Sequence, residues 1–271
     1  MSEMNNVINM QRTPMDLVRE LNQIINKVKN CGDNAHLLKK ADEIAEQIID
    51  ITCQTYENVW ERYKEVRGNK IKEIDNICWE TLNKYIDIYF SCDRSKINIL
   101  DVATGNGRDI IYGQSLGYNV VGVDNCEGFI NLLSQHCANG LIKPNSYKKC
   151  DMRSLVFPDC SFEVVRHNAS LLHLPLIGKG YTVDLAISEA YRVLKPDGLL
   201  YIFVKEGTTL ELNDTNERLG GRIFQFFSHQ MLNEVVNRNG FTIVHTSDEI
   251  EIRDSSTINW ILLIAQKNEM V

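Results

Sequence analysis

The sequence predicts an α/β protein, built as a seven-stranded, mostly parallel sheet with an antiparallel last strand and a helical region before it. Up to about residue 95, apolar residues recur every three or four positions and strand patterns are almost absent. Beyond that point, short apolar runs alternate with amphipathic stretches, which is typical of strands joined by crossover helices. The first of these runs ends in an acid and two glycines, a turn through which such sheets approach a ligand.

Residues 1–95 are predicted to form a helical cap. Leu17 and Leu21 belong to the apolar face of a first helix, which ends in the Cys-Gly-Asp-Asn sequence at residues 31–34. A second helix follows directly, and the apolar spacing predicts a third over residues 70–90. A polar linker then leads into the sheet.

The sheet domain is predicted to span residues 96–271. A Thr-Ser-Asp-Glu sequence at residues 246–249 predicts the return between the last two strands, so we expect the final strand to be antiparallel. Strands are expected near residues 97–102, 119–124, 146–150, 161–166, 198–204, 241–246 and 257–266.

The first strand and its loop, residues 99–109, read Ile-Leu-Asp-Val-Ala-Thr-Gly-Asn-Gly-Arg-Asp. A buried strand, a tight loop and a helix start bring backbone N–H groups to a polar or anionic ligand. The next apolar run ends in Asp124, at the tip of the neighbouring strand, where an acid can accept from both hydroxyls of a ribose. Together they predict a nucleoside-type cofactor at the carboxyl edge of the sheet.

The glycine spacing selects among such cofactors. A dinucleotide loop needs G-x-G-x-x-G, but here Ala103 stands at the first position and Arg108 at the third, and Asp101 has no place in that motif. A nicotinamide dehydrogenase is therefore disfavoured. The pattern D-x-A-x-G-x-G resembles motif I of the class I S-adenosylmethionine (SAM)-dependent methyltransferases, whose usual form is D-x-G-x-G-x-G. Ala103 departs from it by one methyl group.

The resemblance continues in order through about residues 50–271. In the family an acid at the Asp151 position accepts from the adenine amine, and the next residue, here Met152, packs on the ring. Asn168 opens a segment that in the family lies behind the methionine end, and residues 188–202 resemble the helix, turn and fifth strand. The resemblance implies a Rossmann-like fold with SAM as cofactor. The candidate cofactor-binding residues are Tyr56, Tyr63, Asp101, Ala103, Gly105, Asn106, Gly107, Asp124, Asn125, Asp151, Met152 and Asn168.

Tyr56 and Tyr63 are seven residues apart with Trp60 between them, which places all three on one helical face. The segment resembles the Y-x(6)-Y element that precedes motif I in many small-molecule methyltransferases and closes over the cofactor. An ordinary aromatic packing stripe explains the same spacing, so both interpretations stay open.

Methyl transfer depends mainly on aligning the nucleophile with the methyl group, and a base helps when the acceptor is a hydroxyl. His173 and His167 follow the predicted fourth strand and are the candidate catalytic residues; the alternative is that both are hydrogen-bonded structural histidines. The candidate acceptor-binding residues are Arg166, Lys179, Lys205 and Arg222, of which the last three would suit a phosphate or carboxylate.

The composition limits the partners. The chain has 271 residues and a formal net charge of −7, so it has no overall basic footprint for nucleic acid. It shows no long apolar run and no signal peptide, which predicts a cytoplasmic protein without a membrane partner. Its 8 cysteines form no C-x-x-C pair, so reduced thiols are favoured over disulfides and no metal site is predicted. The oligomeric state stays open, a homodimer included.

The predicted function is therefore SAM-dependent methyl transfer to the oxygen or nitrogen of a small molecule, an anionic one among the options. The sequence lacks the N/D-P-P-Y/F segment of methyltransferases that modify nucleic-acid bases or glutamine. The alternative is a protein that binds SAM or a nucleoside without catalysis, as a sensor or subunit. The sequence does not identify the acceptor.

Overall fold

The computed structural model describes residues 12–31, 35–68, 73–213, 221–253 and 256–268. Three helices precede the sheet, as the sequence predicts, and the second is longer than the others. It carries both Tyr56 and Tyr63. The helices are α1 Pro14–Cys31, α2 Ala35–Arg67 and α3 Glu73–Tyr89. Among the described residues, no helix is long and apolar enough to cross a membrane.

Seven strands form one sheet, and the predicted fold class is confirmed. The strands of this sheet are β1 Asn98–Val102, β2 Asn119–Asp124, β3 Tyr147–Lys149, β4 Phe162–Asn168, β5 Leu194–Lys205, β8 Phe241–Arg253 and β9 Ser256–Lys267. Two short strands, β6 Leu210–Asn213 and β7 Arg222–Gln225, pair with each other in a separate ribbon. The order is β3-β2-β1-β4-β5-β9-β8, and only β9 runs antiparallel to its neighbours. The order reverses beside β1, which is where open α/β sheets bind ligands.

Four helices follow in the described part of the sheet domain: α4 Arg108–Ser115, α5 Glu127–Ala138, α6 Thr182–Val193 and α7 His229–Arg238. The strands between them are buried on both faces, so they read as continuous apolar runs such as Leu199–Val204.

The return predicted at residues 246–249 is wrong. These residues lie within β8 and pair with β9, Thr246 opposite Leu263 and Glu249 opposite Trp260. The pairing continues to Arg253 opposite Ser256, so the two strands are about twice as long as a typical strand and their connection falls outside the described residues. The polar sequence was read as a turn, but pairing with the apolar strand β9 keeps it extended.

The described residues form two apolar cores. The main core fills the space around the seven-stranded sheet and includes Trp79 and Leu82 of α3, although α3 lies before residue 95. The second core joins α1 and α2 to the ribbon formed by β6 and β7, which the sequence did not predict. Leu21, Ile48 and Ile223 belong to it. The first two helices and the ribbon thus pack together as one layer.

Candidate functional site

A cavity lies at the carboxyl ends of the central strands and beneath α2. Its wall contains eleven of the twelve residues predicted to bind the cofactor: Tyr56, Tyr63, Asp101, Ala103, Gly105, Asn106, Asp124, Asn125, Asp151, Met152 and Asn168. They reach the cavity from α2, from the carboxyl ends of β1, β2 and β4, and from the loops that follow β1, β2 and β3.

The loop after β1 is shaped by three residues with positive φ. Ala103, Gly105 and Gly107 have φ values of 55°, 57° and 76°. For Ala103 this left-handed conformation costs about 1–2 kcal/mol, because its Cβ approaches the following carbonyl. Gly107 is the predicted residue that does not line the cavity; a Cβ there would lie 2.3 Å from Leu133 Cδ2, so its glycine serves the packing of α4 on α5.

Asp124 fastens this loop to the end of β2. Its two carboxylate oxygens accept from Gly105 N at 2.8 Å and from Cys126 N at 2.9 Å. Burial raises the pKa of Asp124 to about 6, against the effect of these backbone bonds. A carboxylate can accept about four hydrogen bonds, so Asp124 has further capacity toward the cavity.

A buried group of charges lies behind the loop, with Arg166 at its centre. The guanidinium lies 3.0 Å from Asp101 Oδ1 and 3.1 Å from Asp109 Oδ1. It also lies over the rings of Trp79 and Tyr201, at 4.7 and 5.1 Å. Burial raises the pKa of Asp101 to about 6, although Arg166 opposes that shift.

The prediction that Arg166 contacts the acceptor is not supported by this position. Arg166 is fully buried and does not line the cavity. An arginine at the end of a strand reads as solvent-facing in the sequence, but its two acidic partners lie far away along the chain. We conclude that it is a structural cation that neutralises Asp101 and Asp109.

Asp151 has a cationic partner in the structure. Arg153 donates to it from Nε and Nη2, at 3.1 and 2.8 Å, and extends to Glu46 of α2. Burial alone would raise the pKa of Asp151, but the bonds from Arg153 outweigh it and hold the pKa below its usual value. Met152 lies beside it in the cavity wall.

Two asparagines connect the loops around the cavity. Asn106 Nδ2 donates to Gly68 O at 2.7 Å, which ties the loop after β1 to the end of α2. Asn168 Nδ2 lies 3.4 Å from Asp109 Oδ2, while its Oδ1 is buried and has no hydrogen-bond partner among the described residues. Buried polar atoms are rarely left unpaired, so an orphaned acceptor in a cavity wall fits a site for a ligand that donates hydrogen bonds.

Helix α2 closes the cavity from above. Tyr63 lies near Gly105, over the loop after β1 (the donor loop, residues 103–107), and its ring packs edge-on against Phe129 at 5.4 Å. Glu57 accepts from Glu127 N and Gly128 N in the first turn of α5, at 2.6 and 3.2 Å.

Trp60 does not line the cavity, although it shares the helical stripe with Tyr56 and Tyr63. It packs against Gly128, where a Cβ would lie 2.2 Å from the indole. The aromatic stripe therefore has two roles: the tyrosines face the cavity, and the tryptophan packs α2 against α5.

His173 faces the cavity opposite Tyr56. Its Nε2 lies 3.0 Å from the Tyr56 hydroxyl, and its ring contacts Phe224 at 5.3 Å. Burial, with Arg222 and Lys205 nearby, lowers the pKa of His173 to about 3, so the imidazole is neutral at pH 7.

His167 is not in the cavity wall, so the prediction of a catalytic role finds no support in its position. The ring is fully buried, and its Nδ1 lies 2.9 Å from Ser170 Oγ. Burial lowers the pKa of His167 to about 3. Side chains alternate along a strand, so His167 faces away from its neighbour Asn168.

The three predicted anion-binding cations do not meet in the cavity. Lys179 is exposed on a loop. Lys205 Nζ and Arg222 Cζ lie 4.1 and 5.1 Å from the centroid of the Phe224 ring. Both are buried there, and neither lines the cavity.

Several residues of the cavity wall were missed by the sequence reasoning: Cys53, Phe129, Phe203, Glu251 and Trp260. Phe203 and Trp260 lie in apolar strands and look like ordinary core residues in the sequence. The only available signal was at Glu251, an acid in a strand that pairs with an apolar one.

The comparisons with known proteins agree with this geometry. A family model described as a methyltransferase domain matches residues 100–202, which run from β1 to β5. The sterol 24-C-methyltransferase of Eremothecium gossypii is 30% identical over 169 residues, which make up 58% of this chain and 43% of that protein. The match thus spans less than half of that relative.

Two solved structures illustrate the likeness of the fold. The 1,6-didemethyltoxoflavin-N1-methyltransferase of Burkholderia thailandensis, with bound 1,6-didemethyltoxoflavin and S-adenosylhomocysteine (SAH), gives a TM-score of 0.62 at 17% identity, covering 83% of this chain and 91% of that one. A SAM-dependent methyltransferase of Methanosarcina mazei gives 0.54 at 22% identity, covering 68% and 97%. At these identities the likeness shows the fold. Together with the loop after β1, the matched family model shows a methyltransferase domain over residues 100–202 of this chain.

Proposed function

We propose that this methyltransferase acts on a small molecule, held between α2, the carboxyl ends of β5 and β8, and the amino end of β9. One observation carries the proposal: the Tyr56 hydroxyl meets His173 Nε2 at 3.0 Å across the cavity. An acceptor must therefore fit beneath α2 in a space bounded by side chains of the chain itself. The acidic net charge and the small-molecule acceptor named for the Burkholderia thailandensis enzyme support the same class.

The donor end of the cavity has the groups that SAM requires. Asp124 is proposed to accept from the ribose hydroxyls, and Asp151 and Met152 to hold the adenine. The unpaired Oδ1 of Asn168 suits the amino group of the methionine end. When bound, SAM supplies a methyl group that is already attached to a good leaving group.

The protein contributes alignment and exclusion of water. Positioning two reactants can supply about 7–11 kcal/mol of the barrier. Tyr63 and the docked helix α2 cover the donor loop, which keeps water from the sulfonium. We infer that His173 acts by positioning Tyr56, because a pKa of about 3 makes it a weak base.

The test uses the full chain with methyl-labelled SAM and a cell extract divided by ultrafiltration into small-molecule and macromolecular fractions. We expect label to enter the small-molecule fraction. Label confined to protein or nucleic acid would contradict the acceptor class. Tight SAM binding without any transfer would instead favour a sensor or subunit.

A further inference from the structure

Glu251 lies near the end of β8, where the usual alternation of a strand is inverted. Its neighbours Ile250 and Ile252 are 65% and 78% exposed, whereas Glu251 is 7% exposed. Burying a carboxylate while two isoleucines face solvent costs free energy, since transfer favours the opposite arrangement. Local rules of this kind are broken mainly at functional sites.

The carboxylate of Glu251 reaches the cavity beside an aromatic wall. Phe203 and Trp260 stack with ring centroids 4.6 Å apart and an angle of 7° between their planes, and all three residues line the cavity. Trp260 Nε1 donates to Glu251 Oε2 at 3.2 Å, which orients the carboxylate. Because a carboxylate accepts about four hydrogen bonds, Glu251 can hold a ligand N–H together with its protein partners.

This wall lies at the opposite end of the cavity from Asp124. In the sheet, β1, β4, β5 and β9 separate β2, which carries Asp124, from β8, which carries Glu251. A nucleoside held at Asp124 therefore leaves the region of Glu251 for the acceptor.

We propose that the acceptor is an amine on an aromatic or apolar body, with its nitrogen at Glu251 and its body against Phe203 and Trp260. This assignment rests on the proposed function. An acceptor that binds as an ammonium ion first loses a proton to water. The nitrogen lone pair then forms the bond to the methyl carbon while the carbon–sulfur bond breaks and its electron pair goes to sulfur. Positive charge moves from sulfur to nitrogen, and the N-methylammonium product then loses a proton to water. A carboxylate fixed beside the nitrogen stabilises the charge that develops there.

An anionic acceptor suits this end of the cavity less well. Lys205 Nζ lies 4.1 Å from the Phe224 ring centroid and 5.9 Å from that of Trp260, and neither Lys205 nor Arg222 lines the cavity. An anion placed directly against Glu251 would meet a like charge, which is unfavourable.

The test compares three probes that share the indole ring and differ in one group: tryptamine, indole-3-ethanol and indole-3-acetate. Calorimetry on the full chain saturated with SAH measures their affinities. We expect tryptamine to bind at least about tenfold more tightly than the alcohol or the acid. The substitution Glu251→Gln keeps an oxygen for Trp260 Nε1 and should abolish this preference. The matched control, Glu249→Gln, changes the same strand outside the cavity wall and should retain it.

The binding of SAH separates the two proposals. If SAH binds and tryptamine shows no binding or no preference, the amine assignment is wrong and methyl transfer to a small molecule still stands. A preference that persists in Glu251→Gln overturns the role of that residue. Failure of the native chain to bind SAH contradicts the proposed function itself.

Discussion

Asp124 connects the donor loop to the site proposed for the ribose. Its replacement by alanine removes the acceptor for two ligand hydroxyls, and each such charge-assisted bond contributes about 1.5–3 kcal/mol. We expect the dissociation constant for SAM to rise at least about tenfold in Asp124→Ala, measured by calorimetry on folded protein.

Asp124→Asn is the matched variant for this prediction. It keeps one oxygen for Gly105 N or Cys126 N, so the loop stays better anchored and the loss should be smaller. An unchanged affinity in both variants would place the ribose elsewhere.

His167 gives the chain a sensitivity to acid that is independent of the cavity. Its pKa is about 3 in the folded state, below the ordinary value of 6.5, so its stabilising contribution is present above pH 6.5 and lost as the pH falls toward 3. Between pH 7 and pH 5 the folded state loses about 2 kcal/mol through this one residue, since one pKa unit corresponds to about 1.4 kcal/mol.

Substitution isolates that effect. In His167→Gln the free energy of unfolding, measured with urea, should fall less steeply between pH 7 and pH 5 than in the native chain. His173 titrates in both proteins and so cancels in the comparison. Parallel pH profiles for the two proteins would show that the pKa of His167 is the same in the folded and unfolded states.

At the residue scale, the sequence predicts the cavity-lining residues of the loops after β1 and β2, and it misses those around Glu251. Ala103, Gly105 and Asp124 depend on a local pattern of strand, loop and helix start, which the sequence displays directly. Glu251 and Trp260 meet only because long strands pair across the edge of the sheet. That pairing brings together residues that look unremarkable one at a time.

At the scale of elements, α2 is held over the site by its contact with α5. Glu57 caps the first turn of α5 through two backbone N–H groups. Since an N-terminal cap contributes about 1 kcal/mol, Glu57→Ala should lower the free energy of unfolding by that order. It should also weaken SAM binding, because the capped turn follows Asp124 directly.

The control for this prediction is Glu61→Ala, a substitution of an exposed glutamate one turn further along α2. Hydrogen exchange at Glu127 and Gly128 gives a direct readout. Exchange that stays as slow in Glu57→Ala as in the native chain would mean that other contacts hold the two elements together.

Some element boundaries can be predicted from the sequence and others cannot. The starts of α2, β1 and β2 follow from apolar spacing and polar boundaries, and the structure places them within one or two residues of the prediction. The ribbon of β6 and β7 escaped prediction because its strands have four residues each, and α1 and α2 provide the apolar surface on which it packs.

At the scale of the whole molecule, the two apolar cores stabilise different parts of the fold. The main core includes α3 and the sheet, so it stays nearly complete without the first two helices. Deleting residues 1–68 removes most of the second core and leaves Ile177, Leu210 and Ile223 uncovered. We expect the shortened chain to unfold cooperatively on heating, at a lower temperature than the full chain.

The same deletion tests whether the helical layer closes the site. Without Tyr56, Tyr63 and Glu57, the donor loop is open to water and α2 no longer covers the acceptor. The shortened chain should bind SAM more weakly and transfer no methyl group. Trp60→Ala, which loosens the docking of α2 but keeps both tyrosines, should fall between the two proteins in SAM affinity. Should the layer serve only packing or association between copies, the deletion would change solubility or mass in solution. Methyl transfer at the native rate would then persist, and the proposal that the helical layer closes the site would be wrong.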